Sequence, residues 1–181
     1  MPKVYSIDGI VPVVHPSAFV HESAVLVGDV IVGARAYVGP CACLRGDFGR
    51  IVVEEGANIQ DTCMLHGCVV GRGALVGMNC VVNDNAELGE DAMVAAMAFV
   101  RAEAKIPPRS LAAGIPARVL RELSADEMQW KKDNMHLYQE LAGRSARTMQ
   151  RVEALTAVEP GRKRIDIPGS IPLSELKARK T

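Results

Sequence analysis

A six-residue period in aliphatic side chains constrains this chain more than any other feature. Val14, Val20, Leu26, Val32, Val38 and Leu44 recur every six residues; the register resumes at Val53, Ile59 and Leu65, then runs through Val70, Val76, Val82, Leu88, Val94, Val100 and Ile106. All sixteen are Val, Leu or Ile. Four residues after most of them stands a small residue, alanine at Ala18, Ala24, Ala36, Ala42, Ala57, Ala74, Ala86, Ala92, Ala98 and Ala104. An amphipathic helix requires three-four spacing and a long hairpin requires strict alternation, so neither produces a period of six. Short strands joined by tight turns do. Three such strands per coil make a triangular prism, with aliphatic and small side chains inside and Gly, Asn or Asp at the turns. Composition agrees, because 49% of the chain is hydrophobic but only 4% aromatic, which suits an interior too narrow for rings. Sixteen hexapeptides predict roughly five coils.

The register breaks twice. Leu44 to Val53 is nine residues, a three-residue insertion around Asp47, Phe48 and Gly49, and Leu65 to Val70 is five. Functional groups often sit at such irregularities. Counting three faces per coil places Leu44 and Leu65 on one face in adjacent coils, so Arg45 and His66 should stack about 5 Å apart. After Ile106, Pro107-Pro108 and the Gly114-Ile115-Pro116-Ala117 turn are expected to end the repeat, since proline cannot donate to a strand ladder. Ser124 with Glu127 then reads as a capping box, flanked by Leu123 and Met128 at the staple positions. Trp130, Leu137, Tyr138 and Leu141 make the apolar stripe of a helix, with Gly143 a candidate interruption. The domain reading is a β-helix over 1–118, a C-terminal helix packed on the prism over 119–158, and an extended tail over 159–181.

Charge narrows the function classes. Lys plus Arg and Asp plus Glu number 21 each, so no global field draws the chain to nucleic acid or to an anionic membrane. No apolar run approaches the roughly 18 residues of a membrane span, and the first ten residues lack a basic-then-apolar leader, which reads as a cytoplasmic protein. Five cysteines, an odd number without paired spacing, read as buried thiols rather than a disulfide framework, with Cys63 and Cys80 at the small inward positions.

Polar residues of distinctive type concentrate in "LRGDFGRIVV", "GANIQD" and "LHGC", within about one coil. Together with "ALVGMN", "GIPAR" and "EPGRKR", these segments resemble the γ-class carbonic anhydrase-like hexapeptide-repeat family, especially its phenylacetic-acid-degradation (PaaY) and carnitine-operon branches, along nearly the whole chain. The resemblance implies an all-β solenoid, a left-handed parallel β-helix with a C-terminal α-helix. It implies a homotrimer with a zinc ion at each subunit interface. Carried over by position, Arg45 and Asp47 are the interface pair, Gln60 and Asp61 line the site and orient water, His66 is a metal ligand, and Tyr138 is the tyrosine near the site. The PaaY branch implies a metal-dependent acyl-CoA thioesterase of phenylacetate catabolism. A divalent metal lowers the pKa of bound water toward 7, and a neighbouring amide and carboxylate can hold that hydroxide for attack on a carbonyl.

One departure stands out. The family's His-x-x-x-x-His pair, between the "IQD" and "ALVGMN" motifs, has no counterpart here; three hexapeptides and a protruding loop, about one coil, are missing, and His66 alone remains of three ligand positions. Metal affinity depends on ligand count, so zinc is expected to bind poorly or not at all. His15, His21 and His136 read as surface residues. The expected neighbours of His66 at the interface are Asn83 on its own chain and Asp61 or Met78 from a neighbouring subunit. Alternative readings are CO2 hydration with bicarbonate as product, a hexapeptide acyltransferase, and a non-catalytic trimeric scaffold. Arg45 and Asp47 also read as a plain interface salt bridge, Gln60 and Asp61 as turn residues, and Tyr138 as a packing residue.

Overall fold

The structure is a computed structural model and describes residues 2–163 and Ile165. Each hexapeptide forms a two-residue strand, with its first residue outside and its second, the aliphatic, inside. Three residues further on, the chain turns through the left-handed region. Arg35, Cys41, Thr62, Asn79, Asn85, Asp91, Met97, Glu103 and Arg109 all sit there with φ between 54° and 64°. Asn and Asp tolerate that conformation, whereas a long side chain such as Met97 is strained by it.

Stacked coils build three parallel faces. The first holds β1 (Lys3–Tyr5), the leading half of β4 (Val25–Val32), the leading half of β6 (Cys43–Val53), β8 (Met64–His66), β11 (Val81–Val82) and β14 (Phe99–Val100). The second holds β2 (Val13–Val14), the trailing halves of β4 and β6, β9 (Val69–Val70), β12 (Glu87–Leu88) and β15 (Lys105–Ile106). On the third lie β3 (Phe19–Val20), β5 (Tyr37–Val38), β7 (Asn58–Ile59), β10 (Leu75–Val76), β13 (Met93–Val94) and β16 (Ser110–Gly114).

The prism therefore has six coils among the described residues, one more than the spacing predicted. Lys3–Tyr5 pairs upstream of the first counted repeat, and Pro107-Pro108 does not end the stack. Both prolines follow β15, the last strand of its face, so the N–H that Gly71 and Gly89 donate at the equivalent position of earlier coils has no further coil to meet at Pro107, and Val94 pairs with Ala112 beyond them. The stack ends instead at β17 (Ala117–Glu122), which turns back antiparallel to β16.

Inside, the aliphatics from Leu26 to Ile106 are 0–5% exposed and the alanines fill the gaps between them. Val14 and Val20, in the open first coils, are only half-buried. Cys63, Cys68 and Cys80 are buried and free. Burial pushes the Cys68 thiol up to about 12, which makes it a core filler and not a nucleophile. Cys41 departs from the buried-thiol expectation: its place in a left-handed corner turn points it outward, and it is exposed.

α1 (Ala125–Thr148) starts with both bonds of the predicted capping box: the Glu127 N–H donates to Ser124 Oγ and the Ser124 N–H to Glu127 Oε2. Leu123 and Met128 are buried beside it. β17 claims 117–122, so the helix begins later than position 119, and it runs uninterrupted through Gly143, whose helical cost of about 1 kcal/mol is small against packing over 24 residues. Its buried face carries Glu127, Met128 and Lys131 rather than Leu137 and Leu141, which are half-buried. Arg121 clamps Glu127 through two bonds of 2.6 and 2.7 Å, and Lys131 meets Asp91 at 2.5 Å. Residues 149–158 are not helical. Most of the predicted tail, 159–181, and the end of its "EPGRKR" motif lie outside the described residues.

Candidate functional site

The insertion in β6 and the short step after β8 act together. Arg45 and His66 are register partners on adjacent coils, as the three-face count predicts. Beyond them the β6 insertion bulges outward, and Gly49 and Gly67 meet so closely that a Cβ on Gly67 would lie 3.1 Å from the Gly49 Cα. Arg45 grips Asp47 with two bonds, Nε to Oδ1 at 3.2 Å and Nη2 to Oδ2 at 2.7 Å. That grip, reinforced by His66, holds the Asp47 carboxyl below the usual carboxylate range. The Arg45 guanidinium also lies 5.8 Å from the ring centroid of Phe48, which sits at the insertion tip and is 80% exposed.

His66 Nδ1 lies 3.9 Å from Asp84 Oδ1, beyond hydrogen-bonding distance, and that buried oxygen has no hydrogen-bond partner. Asn83 follows Val82, the register partner of Leu65, as the spacing predicts, and Asp84 one residue further on is the group that sequence spacing missed. No group of three His, Cys, Asp or Glu among the described residues is arranged to hold a metal. The donor set of one chain, a single imidazole with one carboxylate, does not fit zinc, which takes at least three protein ligands. His15 and His21 are accounted for otherwise: each Nδ1 accepts from the backbone N–H two residues on, Ser17 and Ser23, at 3.1 Å. His136 is exposed on the helix.

Gln60, Asp61 and Tyr138 converge at a different corner, between the third face and the first. Gln60 and Asp61 follow β7, and Asp61 packs so tightly on Gly39 that a Cβ there would fall 2.5 Å from Asp61 Oδ1. Tyr138 reaches this corner from α1, its ring edge-to-face with Tyr37 of β5 at 4.9 Å. Burial pushes the Tyr138 phenol above its ordinary value, a hydrogen bond with Gln60 opposes this, and the Asp61 charge adds to it. Tyr37, buried and facing the same charge, is pushed up to about 12. Both phenols therefore keep their protons at neutral pH and serve as donors, not bases. Sequence reading missed Tyr37; its signal is the outward row Phe19, Tyr37, Asn58, Leu75, Met93 and Leu111 on the third face, apolar except at Asn58, onto which the helix docks.

Within one chain, β8 separates the two clusters. Asp61 stands before its first residue and His66 is its last.

The family match to the GMPPB C-terminal domain covers residues 10–118. Carnitine operon protein CaiE of Escherichia coli O81 (strain ED1a) is 48% identical over 183 residues, covering 89% of this chain and 93% of that protein. The chain belongs to the hexapeptide-repeat family, near CaiE. Among solved hexapeptide-repeat structures, a hexapeptide transferase family protein from Anaplasma phagocytophilum superposes with a TM-score of 0.68 at 28% identity, covering 78% of this chain and 96% of that one. A mutant of AntD, an N-acyltransferase from Bacillus cereus in complex with dTDP and coenzyme A, shares the fold, with a TM-score of 0.62 at 14% identity over 75% of this chain and 84% of that one.

The CaiE alignment also bears on the missing coil. Since 89% of 181 residues is about 161, about 22 of the 183 aligned positions face no residue of this chain. That shortfall equals three hexapeptides plus a few residues. The prism is continuous where the sequence reading puts the missing coil, Ile59 pairing with Val76 and Leu65 with Val82.

Proposed function

We propose that this hexapeptide-repeat protein is a homotrimeric acyl-CoA thioesterase of the PaaY type, acting on small acyl-CoA thioesters of aromatic-acid catabolism. The observation that carries this reading is the convergence of a carboxylate, an amide and a protonated phenol, Asp61, Gln60 and Tyr138, at one corner beside an uncovered apolar face. Asp61 takes a proton from a water held by the Gln60 side chain. The water oxygen adds to the thioester carbonyl carbon while the Tyr138 hydroxyl donates to the developing oxyanion. The C–S bond then breaks, the CoA thiolate leaves with the proton returned from Asp61, and the free acid remains. Zinc, the family's cofactor, is proposed to be held far below one ion per subunit, because the residues present do not form its site, and no step above depends on it.

Trimer formation is part of the reading. The outward row of the first face starts at Lys3 and is apolar from there on, through Val25, Cys43, Met64, Val81 and Phe99, whereas the second face ends in the Glu87–Lys105 ion pair. An uncovered apolar strip of this kind marks an association surface. The third face is covered by α1.

A second reading, acyl transfer, draws support from the hexapeptide transferase neighbour. The test is thiol release from a panel of short-chain and aryl acyl-CoA thioesters, with and without amine or alcohol acceptors. Release without an acceptor supports the thioesterase, and release only with an acceptor assigns the protein to transfer.

A further inference from the structure

The corner that holds Gln60 and Asp61 continues along the prism as two columns of residues. Gln60, Gly77 and Ala95 follow the inward Ile59, Val76 and Val94 on successive coils, the Gln60 N–H donating to the Val76 carbonyl at 3.0 Å and the Gly77 N–H to the Val94 carbonyl at 2.9 Å. Asp61, Met78 and Ala96 form the next column, whose coils are tied by the Asn79 N–H to the Asp61 carbonyl at 3.0 Å and the Met97 N–H to the Met78 carbonyl at 2.9 Å. Beyond Gln60 its column carries almost no side chain. Gly77 is fixed by the stacking itself, because a Cβ there would lie 2.6 Å from the Ala96 nitrogen. α1 spans this low floor on Trp130, Met135 and Tyr138, and the space left beneath it is a cavity of about 240 Å³.

The cavity is continuous with the hydrolytic corner. Gln60 and Tyr138 belong to its wall, and its two exposed lining residues are Met78 and Ala96, so it opens in the column that begins with Asp61. Met78 stands one coil from Asp61, about 5 Å along the stack. Leu75, Met93 and Met135 make the interior apolar, and thioethers adapt to the shape of a guest and pack favourably on aromatic rings. A dry apolar cavity of about 150 Å³ accepts benzene, so this one has room for a ring and a few further atoms. Lys131, the charged residue of the lining, is 3% exposed and held by Asp91 at 2.5 Å. A carboxylate carried into this space would find no free partner, and an unpaired buried charge is costly.

We propose that this cavity is the acyl pocket of the thioester site, admitting an uncharged acyl group of about one ring, with Met93 and Ala95 setting the size limit. The guest is identified by the thioester reading above, on which this assignment rests. The carbonyl stays at the mouth, between the Tyr138 hydroxyl and the water on Gln60, while the acyl group points beneath α1 and CoA runs outward past Met78.

Trp130 is the sole tryptophan and stands in the wall, so its fluorescence, excited beyond adenine absorption, reports occupancy directly. Thioethers of CoA, which cannot be hydrolysed, separate binding from turnover. S-benzyl-CoA is expected to bind the full chain at least about tenfold more tightly than S-methyl-CoA, from burial of the ring. S-(4-carboxybenzyl)-CoA, the same ring with a charge, should lose that advantage. Ala95→Leu, which fills the cavity, should bring S-benzyl-CoA down to S-methyl-CoA. The two-ring S-(2-naphthylmethyl)-CoA should bind wild type at least about tenfold more weakly than S-benzyl-CoA, and Met93→Ala should erase that gap. Far-UV dichroism and Tm confirm that both variants fold. A benzyl advantage that is absent, that survives in folded Ala95→Leu, or that is matched by the carboxybenzyl thioether would overturn the pocket, whatever the turnover. The expected thioether pattern in a protein that hydrolyses neither acetyl-CoA nor benzoyl-CoA would leave the pocket standing and remove the hydrolytic reading.

Discussion

Tyr37 of β5 and Tyr138 of α1 meet edge to face, 4.9 Å between ring centroids, and so join the helix to the prism at the corner that holds Asp61. The contact separates packing from chemistry, because the rings supply the first and the Tyr138 hydroxyl the second. Tyr138→Phe is expected to leave Tm within about 2 °C, since the edge-to-face pair survives. Thioester turnover should fall by roughly 10- to 100-fold with the loss of an oxyanion donor. Steady-state kinetics and a thermal scan of the same sample check both halves, and unchanged turnover would return Tyr138 to a packing role.

Alkaline stability follows from Tyr37. Its folded pKa, about 12, lies above the unfolded value near 10, so the folded state keeps a proton that the unfolded chain loses. Stability from this residue is complete below pH 10 and falls as pH rises toward 12, by about 2 to 3 kcal/mol in all. Tyr37→Phe should flatten that part of the curve, as read from denaturant midpoints between pH 9 and pH 12.

The apolar row of the first face predicts the assembly. Met64, at its centre and 39% exposed, should be buried in the trimer, so Met64→Glu is expected to give a folded monomer by size-exclusion chromatography with light scattering. A trimer unaffected by the added charge would place the interface elsewhere.

Turn chemistry predicts opposite effects at two positions. Met97, exposed and at φ 64°, should be stabilised by Met97→Gly by about 0.5 to 1 kcal/mol. A Cβ on Gly71 would lie 2.6 Å from the Leu88 carbonyl oxygen and 3.0 Å from the Glu90 nitrogen, backbone that cannot give way, so Gly71→Ala should cost roughly 2 kcal/mol or more. Urea midpoints of both variants decide.

Much of this architecture is written in the spacing. The inward aliphatics, the small residues at Ala24 through Ala104, the Arg45–His66 stack and the Ser124–Glu127 cap all follow from a period of six or from local capping rules, which depend on short-range geometry. What escaped were features set by tertiary contact. Pro107 and Pro108 look like terminators of the whole prism until it is known that they end only the second face, after β15. The helix buries Glu127 and Lys131 because Arg121 and Asp91 wait for them, which no hydrophobic pattern encodes. Asp84 comes near His66 and Tyr37 joins the Asp61 corner through coil-to-coil stacking across many residues. Gln60, Asp61 and Tyr138 were found by resemblance, and their convergence is a property of the folded prism.

The most direct test of the account is CoA thiol release by wild type and Asp61→Asn, each with and without excess EDTA. A carboxylate-driven hydrolysis predicts wild-type turnover that survives EDTA and falls about 100-fold or more in Asp61→Asn. Turnover that EDTA abolishes and zinc restores, or an Asp61→Asn variant as active as wild type, would contradict it.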